Sequence, residues 1–216
     1  EPTSTSRIID KINFKYRAPL RIDLAGGWSD VPFIMGEDVG YVTNMAIKPL
    51  IEYKNGQFNF SGYPRGSGLS TSTAVKLLEM MSSKTYNSDS KSLKQIAEDL
   101  FQLENTELNW AIGRQDQYSI VYGGCNCFRF TPDGGEKLEG QIAIETINKF
   151  ASKILLLHTG VSRNAQSAVE DVYKNYTSEE GSKALKEISS LGKEFYFELK
   201  KENFENCAEI MSQNFN

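Results

Sequence analysis

Tyr63 to Met81 reads YPRGSGLSTSTAVKLLEMM: a proline, two glycines and a run of hydroxyl side chains lead straight into an apolar pattern with helical spacing. A glycine-rich turn entering a helix leaves the first amide donors unpaired and aimed outward, and the helix dipole adds partial positive charge. The stretch is therefore built to hold an anion. Gly66 and Gly68 let backbone approach a phosphate, and Ser70, Thr71, Ser72 and Thr73 offer hydroxyls to phosphate oxygen or to a magnesium ion. The plain alternative is a Ser/Thr-capped helix after a glycine turn. Two common phosphate motifs are excluded. GxxxxGK[ST] needs a lysine that is absent, and no G-x-G-x-x-G followed by an acidic strand end occurs.

Other residues carry chemistry at a distance from this loop. Arg21 lies on the otherwise apolar segment LRIDLAG, where a buried arginine needs an anionic partner, structural or catalytic. AGGWSD, just beyond it, reads as a loop whose glycines free the backbone and whose polar end faces a ligand. Glu104 in LENTEL and Asp116 in GRQDQ are carboxylates that, by themselves, read equally as solvated or helix-capping groups. His158, the only histidine, follows ILLL and reads as a strand-end residue. Cys125, Cys127 and Cys207 form no CxxC pair and read as small core residues rather than zinc ligands or a disulfide framework.

The elements that must position these groups follow from periodicity. LRIDLAG and YVTNMAIKP alternate as strands do, and YKNGQFNF carries the Asn-Gly signal of a hairpin. Thr73–Met81 and Ser92–Leu103 predict amphipathic helices, CNCFRF a strand, TPDGGE a turn, and KILLLHTG a buried strand with a helix starting near Ser162. From Lys183 onward the spacing of Leu185, Ile188, Leu191, Phe195, Leu199 and Phe204 is helical. A change to Lys/Glu-rich helical composition near residue 160 marks the expected domain boundary, between 1–158 and 159–216.

With 216 residues, 39% apolar composition and a net charge of −4, the chain is long and apolar enough for a globular core. Lysines and arginines are scattered, which argues against a nucleic-acid surface. No apolar run approaches the roughly 18 residues that a membrane span needs. The opening EPTSTSRIIDKINF lacks the features of a signal peptide, so the cytoplasm is the expected location.

RAPLRIDLAGGWSDVP (Arg17–Pro32), PRGSGLSTSTA (Pro64–Ala74) and Glu104 with GRQDQYSIVYGG (Gly113–Gly124), in that order, resemble the motifs of the GHMP family of small-molecule kinases. AGGWSD and HTGVSRNAQS look most like the fucose kinase and heptose-phosphate kinase branch. The resemblance spans residues 15 to 170. It implies an α+β fold of two domains: an N-terminal ribosomal-protein-like α/β domain with a left-handed βαβ unit, and a C-terminal ferredoxin-like domain, incomplete here. It implies ATP and Mg2+ as cofactors and a sugar or sugar phosphate as the acceptor, with direct phosphoryl transfer to a hydroxyl, the anomeric one in this branch.

By the same resemblance, Gly66, Ser67, Gly68, Leu69, Ser70, Thr71, Ser72 and Thr73 would wrap the ATP phosphates, and Ser72 and Glu104 would hold magnesium. Asp116 would receive or orient the proton of the attacking hydroxyl, with Arg21 steadying it as a carboxylate. Asp30 and Gly27 would contact the sugar; from the residues themselves, Trp28 reads either as stacking on a sugar face or as a core or rim tryptophan, and Arg163 either as reaching a second phosphate or as bonding local carbonyls. Where the family has several dozen more residues before PRGSGL, only NGQFNFSGY intervenes, and the family's glycine-rich third motif is absent. This points to segments left out of the chain, and the adenine contacts stay unassigned. The rival readings are a sugar-sensing binding protein on the same scaffold and an isoprenoid-pathway kinase. Oligomeric state is open.

Overall fold

The computed structural model describes residues 9–10, 15–31, 38–60, 66–108, 112–133, 135–160, 172, 174–176 and 178–215. Its centre is a sheet with the order β1 (Ile9–Asp10), β2 (Lys15–Ala25), β3 (Gly40–Lys54), β5 (Cys125–Phe130), β6 (Glu136–Gln141), and β4 (Gln57–Asn59) also pairs with β3. The described strands pair antiparallel throughout, and helices complete a mixed α+β fold. The hairpin expected at Asn-Gly is present. Asn55 and Gly56 take φ of 51° and 81°, the positive values that a two-residue turn between β3 and β4 requires.

Sequence alternation puts helices on both faces of the sheet. On β3, Asn44 donates to the Gln115 side chain at 3.4 Å, toward α3 (Gln115–Tyr122). The neighbouring Thr43 points the other way and donates to the Gly192 carbonyl at 2.8 Å, in α5 (Glu179–Lys200). α1 (Thr71–Ser82) buries Thr71, Ala74, Leu78 and Met81, a stripe of helical period, against the α3 side of the sheet. α2 (Leu93–Leu108) begins with a reciprocal cap: the Gln95 amide donates to Ser92 Oγ at 3.2 Å, and the Ser92 amide donates to Gln95 Oε1 at 2.7 Å. α4 (Ile144–Ala151), α5 and α6 (Phe204–Phe215) complete the described helices. No described helix is long and apolar enough to cross a membrane.

The core draws on both layers: Leu20, Met45, Leu77, Leu100, Tyr118, Phe128 and Phe195 are each no more than 2% exposed. Each such side chain contributes roughly 1.5–3 kcal/mol by leaving water. Cys125, Cys127 and Cys207 are buried free thiols among them. α5 crosses the sheet at a glycine–glycine contact. A Cβ on Gly26 would meet the Tyr41 carbonyl oxygen at 2.0 Å, and one on Gly192 would meet the same oxygen at 2.1 Å.

Several elements depart from the sequence expectations, among them α3 and α4, which no sequence period announced. The segment read as a buried strand, KILLLHTG, is unpaired over 154–159, and Leu155, Leu156 and Leu157 are 81%, 51% and 75% exposed. An apolar run becomes a strand only where a neighbour takes up its amides and carbonyls, and no described strand lies beside this one. The continuous C-terminal helix is broken at Lys201–Asn203, where Glu202 has φ of 61°. β6 was not expected because EKLEGQ is an exposed edge strand without apolar alternation. The helix expected near Ser162 lies outside the described residues.

Candidate active site

The site forms where the C-terminal end of β2 meets the loop before α1 and the first turn of α3. Arg21 lies opposite Ala46 in register, shares its face of the sheet with Asp23 and Asn44, and its side chain is only 13% exposed. Its Nε donates to Asp116 Oδ1 at 2.7 Å, and its second terminal nitrogen approaches the same oxygen at 2.6 Å. The remaining nitrogen donates to the Gly68 carbonyl at 3.3 Å. The backbone repeats that connection, because the Arg21 amide donates to the Leu69 carbonyl at 3.2 Å. One guanidinium thus ties the carboxylate to the glycine loop. Burial disfavours its charge, but attraction to Asp116 and then Asp23 more than offsets this, so its pKa is raised.

The three residues that open α3 each hold a different part of the site. Gln115 donates to Asp30 through its amide, at 2.9 Å to Oδ2, and through Nε2, at 3.0 Å to Oδ1. Asp116 meets Arg21, and Gln117 donates from Nε2 to Glu104 Oε2 at 2.6 Å. Each Asp30 oxygen therefore accepts a hydrogen bond from Gln115, and the residue is 1% exposed. Gly113 makes this approach possible, since a Cβ there would lie 1.9 Å from Asp30 Oδ2. Asp116 remains 30% exposed at its side chain, and no described residue hydrogen-bonds its Oδ2.

The loop before α1 alternates its backbone hand: Gly66, Gly68 and Ser70 have φ of 74°, 78° and 58°. Alternation of this kind turns successive amides toward one side and makes an anion-binding concavity. Ser70 is the N-cap of α1, yet its side chain makes no capping bond. The hydroxyls of Ser67, Ser70 and Thr71 are buried without a partner among the described residues. Three orphaned hydroxyls in five residues are costly unless a ligand with acceptor oxygens takes them up. Leu69 is 7% exposed and anchors the loop in the core, while Gly66, Gly68 and Ser72 face solvent.

Glu104, 5% exposed, receives Thr73 Oγ1 at 3.0 Å on Oε1 as well as Gln117 on Oε2. Desolvation pushes it up to about 7 despite these donors. The side chain of α1 that meets Glu104 is thus Thr73, one position beyond Ser72. The donor chemistry fits magnesium. A buried carboxylate and loop hydroxyls are hard oxygen ligands, and this ion commonly takes one or two carboxylates together with substrate phosphates and water. Among the described residues no cluster of three His, Cys, Asp or Glu exists that would cage a metal without such help.

Asp23 was not singled out from sequence. It lies one strand repeat beyond Arg21 on the same face, opposite Asn44, and it is exposed. It nonetheless stands deep among protein atoms. Desolvation first, with Asp30 and Asp116 adding repulsion, raises it to about 7 against the pull of Arg21. Burial likewise raises Asp30, to about 6. The backbone of Gly27 lies directly over Asp23, where a Cβ would fall 1.9 Å from its Oδ2. Trp28, with φ of 75°, is half-buried against Val31 and Leu185. Arg163 lies outside the described residues.

No family model matches the chain, and no curated sequence matches it. Solved structures do. A D-glycero-D-manno-heptose 1-phosphate kinase from Bacteroides thetaiotaomicron superposes with a TM-score of 0.64 at 19% identity, covering 91% of this chain and 76% of that one. A protein described as a sugar kinase from Campylobacter jejuni gives 0.65 at 20%, covering 94% and 74%. The mevalonate kinase of Methanococcus jannaschii gives 0.60 at 14%, covering 95% and 78%. These structural neighbours are GHMP-type kinases, and theirs is the fold of this chain.

Proposed function

We propose that this protein is a kinase that transfers the γ-phosphoryl group of ATP to a hydroxyl of a sugar or sugar phosphate, the anomeric hydroxyl of a heptose phosphate or fucose-like sugar. The observation that carries the reading is the clamp of Arg21 on Asp116 Oδ1 and on the Gly68 carbonyl. It sets a carboxylate oxygen beside a loop of orphaned hydroxyls. Phosphoryl transfer asks mainly for positioning and neutralised charge, and these residues supply both.

The loop from Gly66 to Thr73, with its unpaired amides and the hydroxyls of Ser67, Ser70 and Thr71, would receive the phosphates. Magnesium, held by Glu104 and a loop hydroxyl, Ser72 by the resemblance, would supply charge neutralisation between the phosphates. Asp116 Oδ2 would accept a hydrogen bond from the attacking hydroxyl and take its proton as the new O–P bond forms. The bond from the γ-phosphorus to the bridging oxygen then breaks and ADP leaves with that electron pair. Arg21 fixes the orientation of Asp116 and offers positive charge to the group in transit. Asp30, through Gln115, fixes where α3 begins and hence where Asp116 stands.

A coupled assay of ADP release over fucose, mannose, galactose, heptoses and their phosphates, with products mapped by phosphorus NMR, tests this. Mevalonate belongs in the panel because two mevalonate kinases share the fold, at TM-scores of 0.60 and 0.56. Sugar-dependent ADP release with an O-phosphorylated product is expected. Turnover of mevalonate alone would move the chain to the isoprenoid class. Stabilisation by a sugar without turnover would make it a sensor.

A further inference from the structure

We infer that Asp23 is the carboxylate that receives the hydroxyls of the acceptor sugar, while Asp30, one loop further on, acts from behind the site as a positioning residue. The inference rests on the kinase reading above and assigns the acceptor side of the same site.

The two aspartates are in opposite circumstances. Asp30 is 1% exposed, and each of its oxygens already accepts a hydrogen bond from Gln115. At that exposure the remaining lone pairs of Asp30 do not face solvent. Asp23 is exposed, and no described residue donates a hydrogen bond to it or pairs with it within salt-bridge distance. Strand geometry fixes where it looks. Residues two apart on β2 share a face, so Asp23 projects from the same side as Arg21, and its electrostatic neighbours are Arg21, Asp30 and Asp116. Gly27 matters for the same reason. Only a residue without a side chain leaves the Asp23 oxygens uncovered there.

The chemistry of the ligand follows. A carboxylate that accepts no hydrogen bond from a described residue, in a corner already holding Asp30 and Asp116, attracts neutral donors and repels anions. The part of the acceptor that lies on the wall of β2 therefore presents hydroxyls, and any phosphate that it carries points away from Asp23. A sugar with adjacent hydroxyls next to the reacting one satisfies both demands.

The test measures steady-state kinetics of the wild type, Asp23→Asn, Asp23→Ala and Asp30→Asn with the best acceptor from the sugar panel. For the Asp23 variants, the acceptor KM should rise about tenfold or more, further for Ala than for Asn, with the ATP KM within about twofold of wild type. Asp30→Asn should lower kcat with a smaller change in acceptor KM. Gly27→Ala, whose new methyl group would press on the Asp23 carboxylate, should reproduce the KM effect without altering Asp23 itself. An unchanged acceptor KM in both Asp23 variants, with wild-type sugar turnover intact, overturns the inference and leaves the kinase reading standing. Absence of sugar turnover in the wild type overturns both.

Discussion

Arg21 and Asp116 meet at a single oxygen: two guanidinium nitrogens converge on Oδ1 at 2.7 and 2.6 Å, and Oδ2 is left without a hydrogen bond from any described residue. A side-on pairing of this kind divides the carboxylate into one half that is anchored and one that can act. Asp116→Asn should therefore fold and bind nucleotide as the wild type does but lose about a hundredfold or more in kcat. Arg21→Lys, which keeps the charge but not the fork, should lose most of the same activity because it cannot hold Oδ1 and the Gly68 carbonyl together. Wild-type turnover by Asp116→Asn would remove that residue from the chemistry.

The orphaned hydroxyls of the loop create a trade between stability and binding. Thr71→Val replaces a buried, unpartnered hydroxyl with a methyl group of the same shape. In the absence of nucleotide this should stabilise the protein, by about 1 kcal/mol. The gain in melting temperature on adding MgATP should shrink at the same time. Differential scanning fluorimetry with and without MgATP reads both, and a nucleotide shift equal to that of wild type would show that Thr71 is not a phosphate ligand.

Stability should also depend on pH in a direction set by Asp23 and Asp30, with Glu104, raised to about 7, acting in the same sense. Asp23 and Asp30 are raised from 3.8 to about 7 and about 6, so between about pH 4 and 7 the folded state binds more protons than the unfolded one. For an acid shifted in this sense, stability falls as pH rises through the window. Below it both states are protonated and the advantage is complete. Chemical denaturation at pH 4.5, 6 and 8 should show this decline, and Asp23→Asn should flatten it while leaving stability at pH 8 no lower than wild type. A wild-type profile that rises over this range would mean the two groups ionise freely.

Gly192 sets the distance between α5 and the sheet. Gly192→Ala would place a methyl group 2.1 Å from the Tyr41 carbonyl and 2.8 Å from Gly26 Cα, both backbone and unable to swing aside. A loss of about 1–3 kcal/mol is expected from this overpacking. Urea unfolding measures it, and a substitution without cost would mean that the helix can ride higher on β2 than the contact implies.

How much of this was legible in the sequence depends on what each residue answers to. α1 was readable because burial of one helix face imposes a period, β2, β3 and β5 because short runs rich in apolar and aromatic residues read as strands, and the Asn55-Gly56 turn because it demands positive φ. The glycine loop was readable as a turn entering a helix, because Gly66 and Gly68 supply the positive φ that such a turn needs. What could not be read were relations between distant segments. ILLL carries the composition of a buried strand, but whether a neighbour exists to pair with it is not written in those residues. α3 hides its period because Gln117 and Ser119 are buried polar groups, placed by the site and not by the core. Asp23 passed as the outward residue of a half-buried strand, since strand alternation does not say that Asp30 and Asp116 come near it. Likewise, nothing in AGGWSD says that both Asp30 oxygens accept from Gln115, 85 residues further on.

Gln115, Asp116 and Gln117 grip Asp30, Arg21 and Glu104 from three consecutive positions, and consecutive helical residues point about 100° apart. Such an arrangement tolerates exchange of a side chain far better than a change of count. Deleting or inserting one residue between Gly113 and Gln117 would rotate all three grips at once, each onto another's partner, so this turn is the place where the chain can least absorb a change in length.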